Sequence, residues 1–242
     1  LLEINRCAAR YFYENLNAKT PEAAMARRYW KEKRGLSDAA IRRFGLGYAP
    51  DDFVGLLHYL KHLGFSESEL ETSGLVKRSA KGNLYDIFRH RVMVPIIDVR
   101  GAIIAFGGRV LDDSKPKYIN SPETMVYRKS RTLFALNVAK KSKSKRYILC
   151  EGYMDVISMH EAGFDTAVCA CGTALTAEQA KLLSEYADEV VLSYDSDEAG
   201  QKATERSLGI MANTPMKVSV LSYQGAKDPD EFIKKYGRER FE

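Results

Sequence analysis

The first 75 residues alternate apolar and polar positions with the period of short amphipathic helices, and residues typical of helix ends separate them. Thr20 followed by Pro21 predicts the start of one helix, since proline suits the first helical turn, and Gly35 predicts its end. Ser66 and Glu69 have the spacing of a capping box. The N-terminal region is therefore expected to be largely helical.

The period then changes to that of strands. Residues 91–99, R-V-M-V-P-I-I-D-V, predict one strand, and residues 102–110, A-I-I-A-F-G-G-R-V, predict a second after a tight turn at Arg100 and Gly101. Such a pair predicts an antiparallel hairpin. Residues 116–124, P-K-Y-I-N-S-P-E-T, follow as a polar segment with two prolines and predict a loop.

From Arg146 onward, short apolar runs alternate with helical patterns. This order predicts right-handed crossovers and a mainly parallel sheet with helices on both faces, so the fold class is α/β. The predicted strands of this half are residues 147–150, 166–172, 189–195 and 217–223.

Composition narrows the class of protein. The chain has 242 residues, 45% hydrophobic and 29% charged, as in ordinary globular proteins. No apolar run is long enough to cross a bilayer and no signal-peptide pattern opens the chain, so we expect no membrane partner and a cytoplasmic location. The net charge of +5 is compatible with a polyanionic partner. The basic segment from Lys129 to Arg146 fits either a solvated linker or a binding patch.

The cysteines favour a reducing compartment. Cys150 and Cys169 lie in apolar strand patterns, where a thiol behaves as a small hydrophobic group. Cys169 and Cys171 form a lone C-x-C without the second pair that a zinc site needs. We therefore expect no zinc in this chain.

Carboxylates follow the predicted strands of the second half. Glu151 follows one strand directly, and Asp195 and Asp197 end another as D-x-D. Because the carboxyl ends of parallel strands share one edge of a sheet, these three side chains are expected to meet. Asp155, Asp228 and Asp230 are expected near the same edge, which completes the six candidate metal ligands.

Crowded carboxylates need protons or cations to offset their repulsion, and hard oxygen ligands suit Mg²⁺ or Mn²⁺. Such a site is typical of phosphoryl transfer, with Glu151, Asp195 and Asp197 as candidate catalytic residues. Gly200 would let the following helix pack closely. A second interpretation stays open, because either aspartate of D-x-D can cap a helix, and Asp228 can equally begin a helix whose first residue is proline.

The motifs carry a family resemblance. E-G-Y-M-D at 151–155 with D-S-D at 195–197 resembles the TOPRIM domain. R-V-M-V-P-I-I-D, F-G-G-R-V and P-K-Y-I-N-S-P-E-T resemble the RNA-polymerase core of bacterial-type DNA primases, as does R-F-G-L-G-Y-A-P at 43–50. The resemblance implies a mixed α/β subdomain over 1–144, then a Rossmann-like TOPRIM domain over 145–242 with the start of a helical region.

The resemblance also implies an activity. It is the synthesis of short RNA primers on single-stranded DNA from ribonucleoside triphosphates, with an RNA–DNA hybrid as product. Zinc-binding and helicase-binding modules would lie outside this chain, and the protein would work at the bacterial nucleoid. The residues that the resemblance assigns to the basic side of the cleft, for nucleotide and template binding, are Arg109, Lys117, Asn120 and Lys129. Tyr118 either offers a stacking face for a base or packs as an aromatic side chain within the protein.

Two other activities fit the same acids. A metal-dependent nuclease or strand-passing enzyme would use them for cleavage, although a topoisomerase needs a nucleophilic tyrosine in a separate domain. A DNA-binding or mediator module would retain the acids without catalysis. The resemblance favours the primase.

Overall fold

The computed structural model describes residues 1–172, 174–223 and 225–241, which form two compact units. The first unit contains Leu1–Ile97 and Gly101–Arg128, and the second contains Asp98–Arg100 with the chain from Lys129 onward. The predicted boundary after residue 144 falls inside the second unit, and that division stays a prediction. Residue 242, the last of the predicted second domain, lies outside the described residues.

Two helices of the first unit begin where the sequence predicts. The Thr20 hydroxyl accepts a hydrogen bond from Ala23 N at 3.2 Å, and Ser66 with Glu69 forms the predicted capping box. The helical elements are α1 (Leu2–Asn17), α2 (Pro21–Arg28), a π-helical turn (Tyr29–Lys33), α3 (Asp38–Arg43), α4 (Gly55–His62) and α5 (Glu67–Ser73).

The predicted hairpin is confirmed as part of an antiparallel sheet. The strands of this unit are β1 (Gly47–Ala49), β2 (Val76–Arg78), β3 (Leu84–Asp86), β4 (Arg91–Ile97), β5 (Ile103–Val110) and β6 (Tyr118–Asn120). The larger sheet has the order β1-β4-β5-β6, and β2 pairs with β3.

Two short strands correct the sequence analysis. The loop prediction for residues 116–124 is wrong over β6, which pairs antiparallel with β5, and β1 interrupts the region expected to be helical. Three residues are too few to show a period of two. The pairing of each short strand with a long neighbour decides its conformation.

Aromatic packing joins α1 to this sheet. The Phe12 ring lies 5.3 Å from that of Phe106 in an edge-to-face contact, and both side chains are buried. A Cβ atom at Gly47 would lie 2.7 Å from Cβ of Phe12, so glycine lets β1 pass directly beneath the helix. Full burial of one such side chain contributes about 1.5–3 kcal/mol.

The second unit carries the predicted mainly parallel sheet. Its elements after a 3₁₀ turn (Lys129–Arg131) are β7 (Leu133–Phe134), α6 (Leu136–Ala139), β8 (Arg146–Cys150), α7 (Tyr153–Glu161), β9 (Ala167–Ala170), α8 (Ala177–Ser184), β10 (Glu189–Ser193), α9 (Glu198–Met211), β11 (Lys217–Val220) and α10 (Pro229–Tyr236). The strand order is β11-β10-β8-β9-β7, with only β7 antiparallel to its neighbour among the described residues.

The four parallel strands end at one edge of the sheet, as predicted. Leu149, Val168 and Leu192 are fully buried in the centre of the unit, and helices cover them. Their burial fixes the strand register, and the register fixes which residues emerge at the edge. In the described part of the chain, no helix is both long enough and apolar enough to span a bilayer.

Candidate active site

Two acids emerge side by side at the carboxyl edge of the parallel sheet. β8 and β10 are hydrogen-bonded neighbours, with Cys150 opposite Ser193. Glu151 follows the first of these strands directly, and Asp195 follows the second after one residue. The backbone N–H of Asp195 donates to Oε2 of Glu151 at 3.4 Å. The structure therefore brings together the two acids that the sequence placed at strand ends.

The electrostatics of Asp195 report the convergence of further acids. Burial is the largest cause that raises the pKa of its carboxyl, to about 6, and the charges of Glu151, Asp228 and Asp197 raise it further. Only Lys227 acts in the opposite direction among the causes. Asp195 therefore stands in an excess of negative charge that a cation would offset.

Asp197 has the capping role that the sequence left open. Its Oδ1 accepts from the backbone N–H of Gly200 at 2.8 Å, which caps α9. A Cβ atom at Gly200 would lie 2.0 Å from the carbonyl oxygen of Asp195, so the predicted close packing is confirmed. The helix start is thus fitted against the backbone of the D-x-D segment, and capping leaves the other carboxylate oxygen of Asp197 available to a ligand.

Asp228 also caps a helix. Its Oδ1 accepts from Glu231 N at 2.7 Å at the start of α10. The loop that carries it is tied to the D-x-D segment, because the N–H of Ser196 donates to the carbonyl of Lys227 at 2.9 Å. Capping and a place in the acidic group are therefore compatible for Asp228.

Asp155 and Asp230 are held by local contacts. Oδ2 of Asp155 accepts from Gly152 N at 3.1 Å at the start of α7, and Asp230 pairs with Lys234 at 2.8 Å. Neither carboxylate is among the charges that raise the pKa of Asp195. Their role as metal ligands stays a prediction.

A divalent cation fits the donors of this edge. Carboxylate oxygens are the ligands that Mg²⁺ and Mn²⁺ prefer, and Asp195 lies in uncompensated negative charge. Within the described residues, no group of three or more His, Cys, Asp or Glu side chains is already arranged to hold a metal. Mg²⁺ is commonly bound through one or two carboxylates, with waters and substrate phosphates as the other ligands, so the donor set is adequate.

A cavity of about 370 Å³ opens beside Glu151. Its walls include Leu175, Tyr194 and Ser207, and the hydroxyls of the last two are 3.0 Å apart. Burial raises the pKa of Tyr194 to about 12, so this hydroxyl stays neutral at physiological pH. No pattern in the sequence predicted this cavity.

Four of the five predicted nucleotide-binding residues lie together in the first unit. Arg109 on β5 is opposite Tyr118 on β6, and its Cζ lies 5.8 Å from the centre of that ring. Lys117 Nζ lies 5.8 Å from the same ring centre, and Tyr118 is 39% exposed. Asn120, two residues further along β6, has a buried Oδ1 without a hydrogen-bond partner in the described part of the chain.

Sequence reasoning missed the residue that holds this group in place. The buried Arg91 on β4 donates to the carbonyl of Pro116 at 2.9 Å and to that of Lys117 at 3.3 Å. These bonds attach the segment before β6 to the sheet. An arginine at the start of an apolar strand was a possible signal, because a charge there must find partners.

The fifth predicted residue, Lys129, belongs to the second unit. Gln179 is fully buried on α8, and its amide donates to the carbonyls of Lys129 and Thr132, both at 2.8 Å. These bonds fix the backbone of Lys129. Its contact with nucleotide or template stays a prediction.

The chain matches known families over both halves. Residues 11–140 match the family described as "DNA primase catalytic core, N-terminal domain", and residues 148–233 match the family described as "Toprim-like". The resemblance seen in the sequence motifs and the predicted fold class are confirmed by these matches.

Individual relatives agree. A DNA primase of Clostridium acetobutylicum is 47% identical over 242 residues, which cover all of this chain and 40% of that protein. The chain thus spans less than half the length of that curated relative. The E. coli primase catalytic core matches with a TM-score of 0.90 and 35% identity, over 99% of this chain and 77% of that chain. A primase catalytic domain bound to single-stranded DNA matches with a TM-score of 0.88 and 35% identity, over 99% and 78%.

Proposed function

This chain belongs to the DNA primase family, and we propose that it carries the centre that makes short RNA primers on single-stranded DNA by metal-dependent nucleotidyl transfer. The observation that carries the proposal is the meeting of Glu151 and Asp195 at the carboxyl edge of a Toprim-like sheet. The raised pKa of Asp195 supports it, since negative charge is concentrated where a cation would act.

Glu151, Asp195 and Asp197 would hold a divalent cation, Mg²⁺ or Mn²⁺, with Asp228 beside them. When bound, the cation supplies a positive charge that stabilises the negative charge developing on phosphate oxygens. Asp155 and Asp230 would add their carboxylates to the acidic group at the same edge of the sheet.

The chain's own residues would bind and orient the reactants. The guanidinium of Arg109 and the ammonium of Lys117 attract phosphate oxygens, and the exposed Tyr118 ring offers a base a stacking face. Asn120 and Lys129 complete the proposed nucleotide and template contacts. Glu151 would accept the proton of the attacking 3′-hydroxyl as its oxygen bonds to the α-phosphorus, and pyrophosphate would leave.

The substrates and partners follow from this activity. They are a single-stranded DNA template, ribonucleoside triphosphates and the RNA–DNA hybrid that forms from them. The replicative helicase and a zinc-binding module would act through parts of the longer primases that this chain does not span. The place of action would be the bacterial nucleoid.

The test is primer synthesis by the chain on single-stranded DNA with four ribonucleotides and Mg²⁺ or Mn²⁺. An Asp195→Ala/Asp197→Ala variant is the control, with strand binding measured in parallel. We expect short RNA products, their loss in the variant, and retained binding. Equal losses of synthesis and binding would contradict the metal role, and degradation of labelled DNA without nucleotides would indicate a nuclease. If the chain makes no product, extension of an annealed primer separates a lack of initiation from a lack of catalysis.

A further inference from the structure

Tyr29 occupies an unusual place in the backbone of the first unit. It opens the π-helical turn, in which the N–H of Arg34 donates to the carbonyl of Tyr29 at 3.0 Å, five residues back. Turns of this kind are rare in proteins, and those that do occur often lie at functional sites. Here the turn brings the Arg34 side chain back onto Tyr29, and Nε of Arg34 donates to the tyrosine hydroxyl at 2.8 Å.

The same tyrosine also contacts Arg109. The Arg109 guanidinium carbon lies 4.9 Å from the centre of the Tyr29 ring, and that of Arg34 lies 5.6 Å from it. Both distances are within the range of cation–π attraction, since the face of the ring is negative. One side chain therefore contacts two cations, through its hydroxyl in one case and through its ring in both.

The guanidinium of Arg109 is buried and its hydrogen bonds are incomplete. The residue is only 9% exposed, and Nη1 donates to the carbonyl of Val110 at 2.8 Å. Its Nε is buried without a hydrogen-bond partner, and no ion pair with a carboxylate involves Arg109 in the described part of the chain. A buried guanidinium of this kind is costly unless a negative group completes its contacts.

We propose that Tyr29 is a positioning residue that holds Arg34 and Arg109 as a pair for binding phosphate oxygens, of a nucleotide triphosphate or of a strand backbone. This inference rests on the proposed function, because it assigns the substrate phosphates of that reaction to the pair. Burial raises the pKa of Tyr29, so the hydroxyl stays neutral and accepts from Arg34 throughout the working range of pH. A packing role alone would require only the ring, which also meets Trp30 edge-on at 5.3 Å.

Two variants separate these roles. Tyr29→Phe keeps the ring against Arg109 and removes the acceptor for Arg34, whereas Tyr29→Leu removes both. Tyr13→Phe, at a partly exposed tyrosine of α1, is the matched control. Binding of inorganic tripolyphosphate and of a single-stranded oligodeoxynucleotide is measured by calorimetry for each protein, and thermal unfolding is recorded for all of them.

Tyr29→Phe is expected to weaken the binding of at least one anion about 3- to 10-fold, which corresponds to one typical hydrogen bond. Tyr29→Leu should weaken it further, and Tyr13→Phe should leave it unchanged. Loss for tripolyphosphate assigns the pair to the nucleotide, and loss for the oligomer assigns it to the strand. In primer synthesis, a nucleotide role raises KM by the same factor and leaves kcat within about twofold.

Unchanged binding of both anions by folded Tyr29→Phe would overturn the proposal, as would a wild-type chain that binds neither anion. A loss of binding that only follows a loss of folded protein in Tyr29→Leu, with Tyr29→Phe unaffected, would assign Tyr29 to packing. Failure of the proposed function looks different. In that case the wild-type chain makes no primers, yet Tyr29→Phe still weakens anion binding.

Discussion

The backbone N–H of Asp195 donates to the carboxylate of Glu151 at 3.4 Å and joins the ends of two neighbouring parallel strands. The contact is long for a hydrogen bond, and it partly offsets the repulsion between two carboxylates that the sheet forces together. The site is therefore arranged at a cost in stability, and that cost can be measured.

Asp195→Asn should stabilise the folded chain at neutral and alkaline pH. The pKa of Asp195 is raised from 3.8 to about 6, so the favourable contribution of its protonated form is complete below about pH 4 and is lost as the pH rises through 6. The amide keeps the shape and removes the charge. We expect a gain of about 1 kcal/mol at pH 8, a value that allows for solvent screening of the partly exposed carboxylate, and no gain near pH 4.

Urea denaturation at the two pH values checks this prediction. Added Mg²⁺ should raise the stability of the wild-type chain at pH 8 more than that of the variant. An equal gain from Asp195→Asn at both pH values would show that the charge is not responsible.

Gly200→Ala should damage the site more than its position on a helix suggests. The added methyl group would lie 2.0 Å from the carbonyl oxygen of Asp195, so the helix start or the D-x-D segment must move. We expect a loss of about 1–3 kcal/mol in unfolding free energy, with a loss of primer synthesis.

Gly209→Ala is the matched control on the same helix. Apart from the neighbouring backbone of its own helix, no atom of the described residues lies within 4 Å of a Cβ placed there, so the substitution should stabilise by about 0.5–1 kcal/mol. Urea denaturation of both variants measures the change in unfolding free energy. An unchanged unfolding free energy in Gly200→Ala would contradict the predicted effect of close packing.

Gln179→Met should destabilise the second unit by about 1–3 kcal/mol, because it removes the two hydrogen bonds that the buried amide donates to the carbonyls of Lys129 and Thr132. Gln201→Met, at an exposed glutamine of α9, should change stability by less than about 0.5 kcal/mol. Urea titration followed by circular dichroism measures both. Similar effects for the two variants would mean that the buried amide is not needed.

Lys117→Ala should weaken the binding of single-stranded DNA and reduce the slope of log K against log salt by about 0.7, the value for one lost phosphate contact. Lys77→Ala removes another exposed lysine of the first unit, on β2, and should leave the slope unchanged. Fluorescence anisotropy over a series of salt concentrations provides the slopes. Equal slopes for wild type and Lys117→Ala would remove Lys117 from the strand interface.

Sequence patterns predicted the parallel sheet and the convergence of Glu151 with Asp195. The alternation of strands and helices makes the strands parallel, so their carboxyl ends meet at one edge of the sheet. They did not predict β6, since three residues show no period. The contact of Tyr29 with Arg34 was also missed, because residues five apart on an α-helix do not face each other. Only the π-helical turn, which has no sequence signal of its own, brings them together.

The strand order β11-β10-β8-β9-β7 also has a consequence for synthesis on the ribosome. β8 is central and precedes the other parallel strands in the chain, so the sheet can grow outward from it as the polypeptide emerges, first through β9 and later through β10. Glu151 is therefore made, and leaves the ribosome, before Asp195. The nascent unit meets its carboxylate repulsion only after Leu149 and Val168 have been made and can pack, when hydrophobic contacts are available to oppose it.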